Sequence, residues 1–345
     1  MKTKLFTILQ VEGHEQEIWE AAGLLRSGAL VAIPTETVYG LGANALNPEA
    51  VKRIYEAKGR PSNNPLIIHV PGAQWLERYC EDVPETAYRL AERFWPGPLT
   101  MILKARDIVP KATTGGLDTV AVRCPAHPVA LAIIEATGVP IAAPSANTSG
   151  RPSCTSAAHV LEDMDGKIQG IVDGGVSAVG VESTIIDLTG ARPCLLRPGG
   201  MPLEALEEVL GSVSVDRAVT RELKAGETPK APGMAYRHYA PQAPVTVVTG
   251  DPERSAAYIL ARAGADTGVI CFDEYADRFP DSVVERLGSF TDKAEQAHRV
   301  FEALRAFDHT QVRVILAQCP DSSGLGLAVE NRLKKAAGFH VVEAL

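Results

Sequence analysis

Six cysteines lie far apart in the 345-residue chain, with no CxxC and no Cys/His spacing suited to zinc. A reduced compartment is the simplest reading of that scatter. No GxxxxGK[ST], HExxH, GxSxG or kinase motif set occurs. Any nucleotide is therefore handled without a P-loop. No apolar run reaches 18 residues, and the opening MKTKLFTILQVEGHEQ turns polar too soon for a convincing signal peptide. The expectation is a cytoplasmic protein with no membrane association. Positive charge is short as well: 34 Lys and Arg stand against 42 Asp and Glu, a net charge of −8. Proteins that grip long nucleic acid through its phosphates are more often basic. What is present is ordinary globular material, 46% hydrophobic and 22% charged, enough for two or three domains.

Strand-like and helix-like stretches alternate from the start, which implies an α/β sheet domain. LVAI, LIIHV, LTMILKA, TVAVRC, PIAAP, GIVDGG, STIIDL and PCLLRPG read as strands. Between them, Glu15 to Ser27, Pro48 to Ala57, Glu85 to Phe94, Pro128 to Thr137 and Pro202 to Leu210 read as helices. This first domain is expected to span residues 1–211. Residues 212–241 are rich in charge, proline and glycine and read as a linker. That linker carries Tyr236, Arg237, His238 and Tyr239 in one run, an aromatic and basic stretch suited to closing over a site. Residues 242–345 repeat the alternation as a second, smaller domain, without GxGxxG after its first strand.

Five polar clusters fall at strand ends of the first domain. PTETVYGLG offers Thr35, Glu36, Thr37 and Tyr39, followed by Gly40 and Gly42, beyond the strand LVAI. In open α/β sheets, ligands sit past the carboxyl ends of strands. AKGRPSNNPLIIHV places Lys58 and Arg60 close together, with Asn63 and Asn64 after them and His69 in the next strand. Two cations in one loop suit phosphate. Arg123 sits in an otherwise apolar strand, where an inward guanidinium needs a partner such as a ligand carboxylate. AAPSANTSGRPS breaks a small apolar strand into hydroxyls, amides and Arg151. VESTIIDL and LLRPGG bring Ser183, Thr184 and Arg197 to further strand ends. Each cluster alone also reads as turn chemistry or as an internal ion pair. Together they favour a cleft for an anionic substrate that also bears amine or hydroxyl groups.

The segments PTETVYGLGAN, KGRPSNNPLIIHV, WPGPLT, TVAVRCPAHP, APSAN, GVESTIID and LLRPG, in this order, resemble the YrdC-like threonylcarbamoyl-AMP synthases. APGMAYRHYAP and GLGLAVENRLKKAAG resemble the linker and C-terminal domain of the longer, two-domain form, so the likeness spans nearly the whole chain. The resemblance implies an open twisted-sheet catalytic domain plus a smaller Rossmann-like α/β domain. It implies the condensation of L-threonine, bicarbonate or CO2, and ATP into threonylcarbamoyl-AMP and pyrophosphate, with Mg2+ accompanying ATP and no metal ligand assigned to a side chain. It implies threonine binding by Thr37, His69, Arg123, Ala143, Ser145 and Ser183. It implies an ATP side made of Lys58, Arg60, Asn64, Thr119, Ser145, Asn147, Ser153, Arg197 and Tyr239, with Lys58 and Arg60 stabilising charge on the phosphates. The implied partner is the tRNA threonylcarbamoyl transferase complex that consumes the product, with a weak contact to tRNA itself. Two other readings stand beside this one. An RNA-binding module would use the same basic concave face and bind with strong salt dependence. A carbamoyl-transferring maturation enzyme would share the domain but add a zinc-finger cysteine pattern that is missing here.

Overall fold

Short strands whose every residue is apolar, such as Val31–Ile33, need cover on both faces of their sheet. In a computed structural model, described over residues 2–221, 231–232 and 238–345, two sheets are covered in this way. The first contains β1 (Lys4–Thr7), β2 (Val31–Ile33), β3 (Gly40–Asn44), β4 (Ile67–His69), β5 (Cys80–Glu81) and β6 (Leu99–Ala105). It continues with β7 (Thr119–Arg123), β8 (Ile141–Ala142), β9 (Gly170–Asp173), β10 (Thr184–Asp187), β11 (Cys194–Arg197) and β12 (Ser214–Val215). Their order is β1-β9-β2-β3-β8-β4-β7-β6-β10-β11-β12, with β5 beside β6, and the pairing is mixed. The second sheet holds β13 (Val245–Gly250), β14 (Thr267–Cys271), β15 (Val283–Arg286), β16 (Val314–Gln318) and β17 (Val341–Ala344). It runs β15-β14-β16-β13-β17 with every pair parallel, as expected of a Rossmann-like unit.

The helix Pro48–Lys58 shows how local sequence places a functional group. Asn47 caps it by accepting from the Glu49 and Ala50 N–H groups, Pro48 fills the first turn, and Gly59 closes it with φ +61°. The stop falls right after Lys58, and the Arg60 N–H turns back to the Tyr55 carbonyl at 2.9 Å. Both cations are thereby fixed by the end of one helix.

Three features depart from the sequence expectation. GLGAN reads as a loop because of its glycines, yet it forms β3, paired to β2 and β8. The helix Ala157–Met164, capped by Ser156, follows the polar SGRPS stretch, where no helix is expected from sequence. The first sheet also runs on into the stretch read as linker. Ser214–Val215 pairs with β11, and Ala218 and Val219 are buried after a short turn capped by Asp216. Burial of a few apolar residues outweighs the polar composition there.

The two domains share buried charge. Arg305 of the helix Lys293–Ala306 is 2% exposed and donates to Asp163 at 3.1 Å and to the Pro152 carbonyl at 2.7 Å. Arg151 also contacts Asp163 and reaches Asp308 of the second domain at 3.0 Å. Gly180, at φ +82°, lies against that same helix; a Cβ there would stand 2.4 Å from the His298 Cα. Removing one partner of a buried ion pair leaves the other uncompensated. Arg305→Met is expected to cost about 3 kcal/mol, the low end for such a loss because Arg151 still serves Asp163. Denaturant unfolding of the full chain measures it, and an unchanged midpoint would refute the assigned role.

Candidate active site

Strand ends converge on one cavity. β4 and β7 are parallel neighbours whose last residues, His69 and Arg123, stand opposite each other in register. The next strand, β6, places Thr100 across from Arg123, and the Thr100 hydroxyl lies 2.8 Å from that of Ser183, just before β10. Arg197 ends β11 and donates its Nε and Nη2 to the Ser183 carbonyl at 3.1 and 2.8 Å. The RPGG turn after it must approach closely: a Cβ at Gly199 would stand 2.2 Å from the Glu182 carbonyl. On the opposite wall, the Ala143 N–H bonds the Ile67 carbonyl at 3.0 Å, and Gly40 bridges to Ser145. Pro232, His238 and Tyr239, from the stretch read as linker, complete the enclosure.

The cavity brings together eight of the residues expected from sequence: Arg60, His69, Arg123, Ala143, Ser145, Ser183, Arg197 and Tyr239. Four more stand directly behind its wall. Lys58 donates to the Ser145 and Asn147 carbonyls, and the Arg60 guanidinium bonds the carbonyls of Asn64 and Pro65. Ser153 donates to Glu182 at 2.6 Å. Thr37 is placed differently from the expectation. It is wholly buried, with its hydroxyl 2.9 Å from that of Thr35, and Thr35 is the residue that lines the cavity. Thr119 is not brought in either. It begins the strand that Arg123 ends, about 13 Å away at the usual rise per residue. Tyr236 and Arg237 lie outside the described residues.

The electrostatics of the enclosure are lopsided. Lys58, Arg60, Arg123 and Arg197 are all buried, and among the described residues the buried carboxylates that act on them are Glu36, Glu182 and, for Lys58, an Asp163 already shared by Arg151 and Arg305. Burial, with Arg60 close by, pushes the Lys58 ammonium down to about 7. Burial likewise pushes Arg60 and Arg197 down to about 10. Burial alone would raise the Glu182 carboxyl, but Arg332 and Arg197 outweigh it and hold it at about 2. Glu36 Oε1 lies 2.7 Å from Arg123 Nη2, yet neither atom is aligned for a hydrogen bond, so their attraction is chiefly one of charge. Arg60 Nε, Asn64 Oδ1, Asn147 Oδ1 and His238 Nδ1 are buried with no partner at all. Orphaned polar atoms at this density are what a bound polar ligand relieves.

Residues 23–199 match the Sua5/YciO/YrdC family, described as telomere recombination. Residues 201–338 match the threonylcarbamoyl-AMP synthase C-terminal domain. The chain belongs to the two-domain threonylcarbamoyl-AMP synthase family. A threonylcarbamoyl-AMP synthase of Pyrococcus abyssi is 54% identical over 337 residues, 96% of each chain. One from Bacillus subtilis is 47% identical over 348 residues, 99% of this chain and all of the relative. The crystal structure of P. abyssi Sua5 complexed with L-threonine superposes with a TM-score of 0.91 at 50% identity, covering 99% of this chain and 100% of that one.

Sequence reading passes over Glu182, which sits in a motif where hydroxyls and a cation stand out, names Glu36 only as one hydrogen-bonding group among four, and takes His238 only as part of an aromatic and basic run. Arg332 lies within GLGLAVENRLKKAAG, but nothing local ties it to a site built more than a hundred residues earlier.

Within the enclosure, burial and the neighbouring Arg123 hold the His69 imidazole at about 3. The unfolded chain takes up that proton near the ordinary 6.5. This contribution to stability is therefore complete above about pH 6.5 and is lost as pH falls toward 3. The His69 ring signals, assigned against a His69→Gln variant, should show no titration between pH 5 and 8 in an NMR series. A midpoint near 6.5 would contradict the enclosure.

Proposed function

We propose that this chain is an L-threonylcarbamoyladenylate synthase that works inside this cavity. The observation that carries the reading is the enclosure of four buried cations, two of them at the end of one helix, around orphaned polar atoms at converging strand ends. Such a site suits a substrate pair with one carboxylate and one polyphosphate. Arg123 would pair the threonine carboxylate through its planar fork, with Glu36 holding the guanidinium from the other side. His69, neutral at working pH, and Ser183 would take the amine and hydroxyl. Thr35 lines this wall, with Thr37 supporting it from behind. Ala143 would contact threonine through its backbone.

The threonine amine attacks CO2, a C–N bond forms, and loss of the amine proton leaves a carbamate. A carbamate oxygen then attacks the α-phosphorus of ATP in line, forming a P–O bond as the bond to pyrophosphate breaks. No side chain need become covalently attached. The protein supplies proximity and charge. Lys58 and Arg60 would stabilise the charge that grows on the phosphates, with Arg197 and Tyr239 on the same nucleotide side. Asn64, Ser145, Asn147 and Ser153 would support that side from the loops behind it.

Mg2+ has no protein cage here. Among the described residues no three His, Cys, Asp or Glu side chains gather to hold an ion, and Glu36 and Glu182 each face arginine. The residues do not fit a dedicated metal site. The ion would arrive on the phosphates with its waters, and no step is assigned through it. The product would pass to a separate tRNA threonylcarbamoyl transferase complex, with at most weak tRNA contact by this chain.

The test is pyrophosphate release from ATP with L-threonine and bicarbonate added or withheld. Release should require both, and Arg123→Ala should raise the KM for threonine by roughly a hundredfold, the scale of a lost charge-assisted pair. Release that ignores threonine would overturn the reading.

A further inference from the structure

We propose that Arg332, carried by the second domain, is a positioning residue for this reaction, acting through the Glu182 carboxylate on the nucleotide-facing wall of the cavity. The inference rests on the synthase reading above and gives the second domain a part in it. Arg332 belongs to the helix Gly326–Ala336 and is fully buried. Its Nε donates to Glu182 Oε2 at 2.7 Å, while Glu182 Oε1 accepts from Ser153 Oγ at 2.6 Å. The Glu182 charge also acts on the Tyr239 hydroxyl, and the Tyr239 ring centroid lies 5.4 Å from the Arg332 guanidinium carbon. One carboxylate thus gathers a residue from the SGRPS loop, a residue from the stretch joining the domains, and an arginine from the far domain.

Arg332 does not line the cavity; Glu182, Tyr239 and Arg197 do. The arginine therefore works at one remove. Its own orientation is set by Nη1 donating to Asn331 Oδ1 at 2.9 Å, and Asn331 Nδ2 donates to the Val219 carbonyl at 2.8 Å, at the end of the first domain. Without Arg332, the next cation available to Glu182 is Arg197, whose field already acts on it. A Glu182 carboxylate drawn toward Arg197 would release Ser153, and would compete with the Ser183 carbonyl that now holds Arg197. Arg123 and His69, on the threonine side, are held by Glu36 and by the Ile141 carbonyl and share none of these bonds. The consequence is graded: the nucleotide side should loosen most, and the threonine side less, because the change reaches it only through the bonds of Arg197 to Ser183.

Steady-state pyrophosphate release by the full chain, with ATP and L-threonine varied separately, reads this out for Arg332→Met and Arg332→Lys. Each variant is first checked for the wild-type circular dichroism spectrum and a cooperative thermal transition. Arg332→Met is expected to raise the KM for ATP or lower kcat by roughly ten- to a hundredfold, with a clearly smaller rise in the KM for threonine. Arg332→Lys, which keeps one charged donor but loses the planar fork over the ring, should recover part of that loss. Equal losses for both substrates, or unchanged ATP kinetics in a folded variant, would overturn the proposal. Should Arg332→Met fail to fold, Arg332→Lys decides alone: a selective rise in the KM for ATP supports the positioning role, and unchanged ATP kinetics refutes it. A wild-type chain without threonine-dependent release would overturn the synthase reading, and the positioning role with it.

Discussion

Burying a cation is expensive unless something negative meets it. Around the cavity this structure buries Lys58, Arg60, Arg123 and Arg197 and, among the described residues, meets them with Glu36, Glu182 and a share of Asp163. Much of the surrounding architecture follows from that shortfall. Lys58 is satisfied by backbone carbonyls of the SAN loop, Arg60 by the carbonyls of Asn64 and Pro65, and Arg197 by that of Ser183. Carbonyl oxygens hold the cations in place without cancelling their charge. The site thereby stays attractive to an anion.

The enclosure carries a conformational cost as well. Tyr239 adopts φ +64°, a left-handed conformation unusual for a residue with a bulky side chain. Strain of this kind persists where the surroundings over-determine it and is worth about 1–3 kcal/mol. Here the Tyr239 ring centroid lies 5.1 Å from that of Phe301, and the next N–H, that of Ala240, reaches the Gly150 carbonyl at 2.8 Å. Phe301 and Arg332 both belong to the second domain. That domain is thus in contact with the cavity wall at two points as well as being docked to its neighbour by Arg305 and Asp163.

Much of this was legible in sequence because strand ends mark themselves. LTMILKA gives its strand residue for residue, and TVAVRC all but its last residue, since an apolar run flanked by breakers admits little else. Lys58, Arg60, His69, Arg123 and Arg197 stood out as cations or imidazole beside such runs. Short paired strands did not, because β3 and β12 owe their conformation to partners far along the chain. The same holds for Arg332 and Glu182. A buried ion pair separated by 150 residues leaves no local periodicity to read. Thr35 and Thr37 stand two residues apart, a spacing that would put both on one face of an extended strand, and only the packed loop decides which of them faces the cavity.

The central claim is that one of the buried cations, Lys58, is held short of its ordinary charge until a polyanion arrives. Calorimetric titration of ATP at pH 8, in two buffers of different ionisation enthalpy, addresses it directly. With Lys58 pushed down to about 7 in the empty site, arriving phosphates should restore its proton, and binding should take up as much as about one proton per ATP. Lys58→Arg, which keeps its charge at every working pH, should bind without that uptake. ATP binding with no proton uptake, or with the same uptake in Lys58→Arg, would contradict the account.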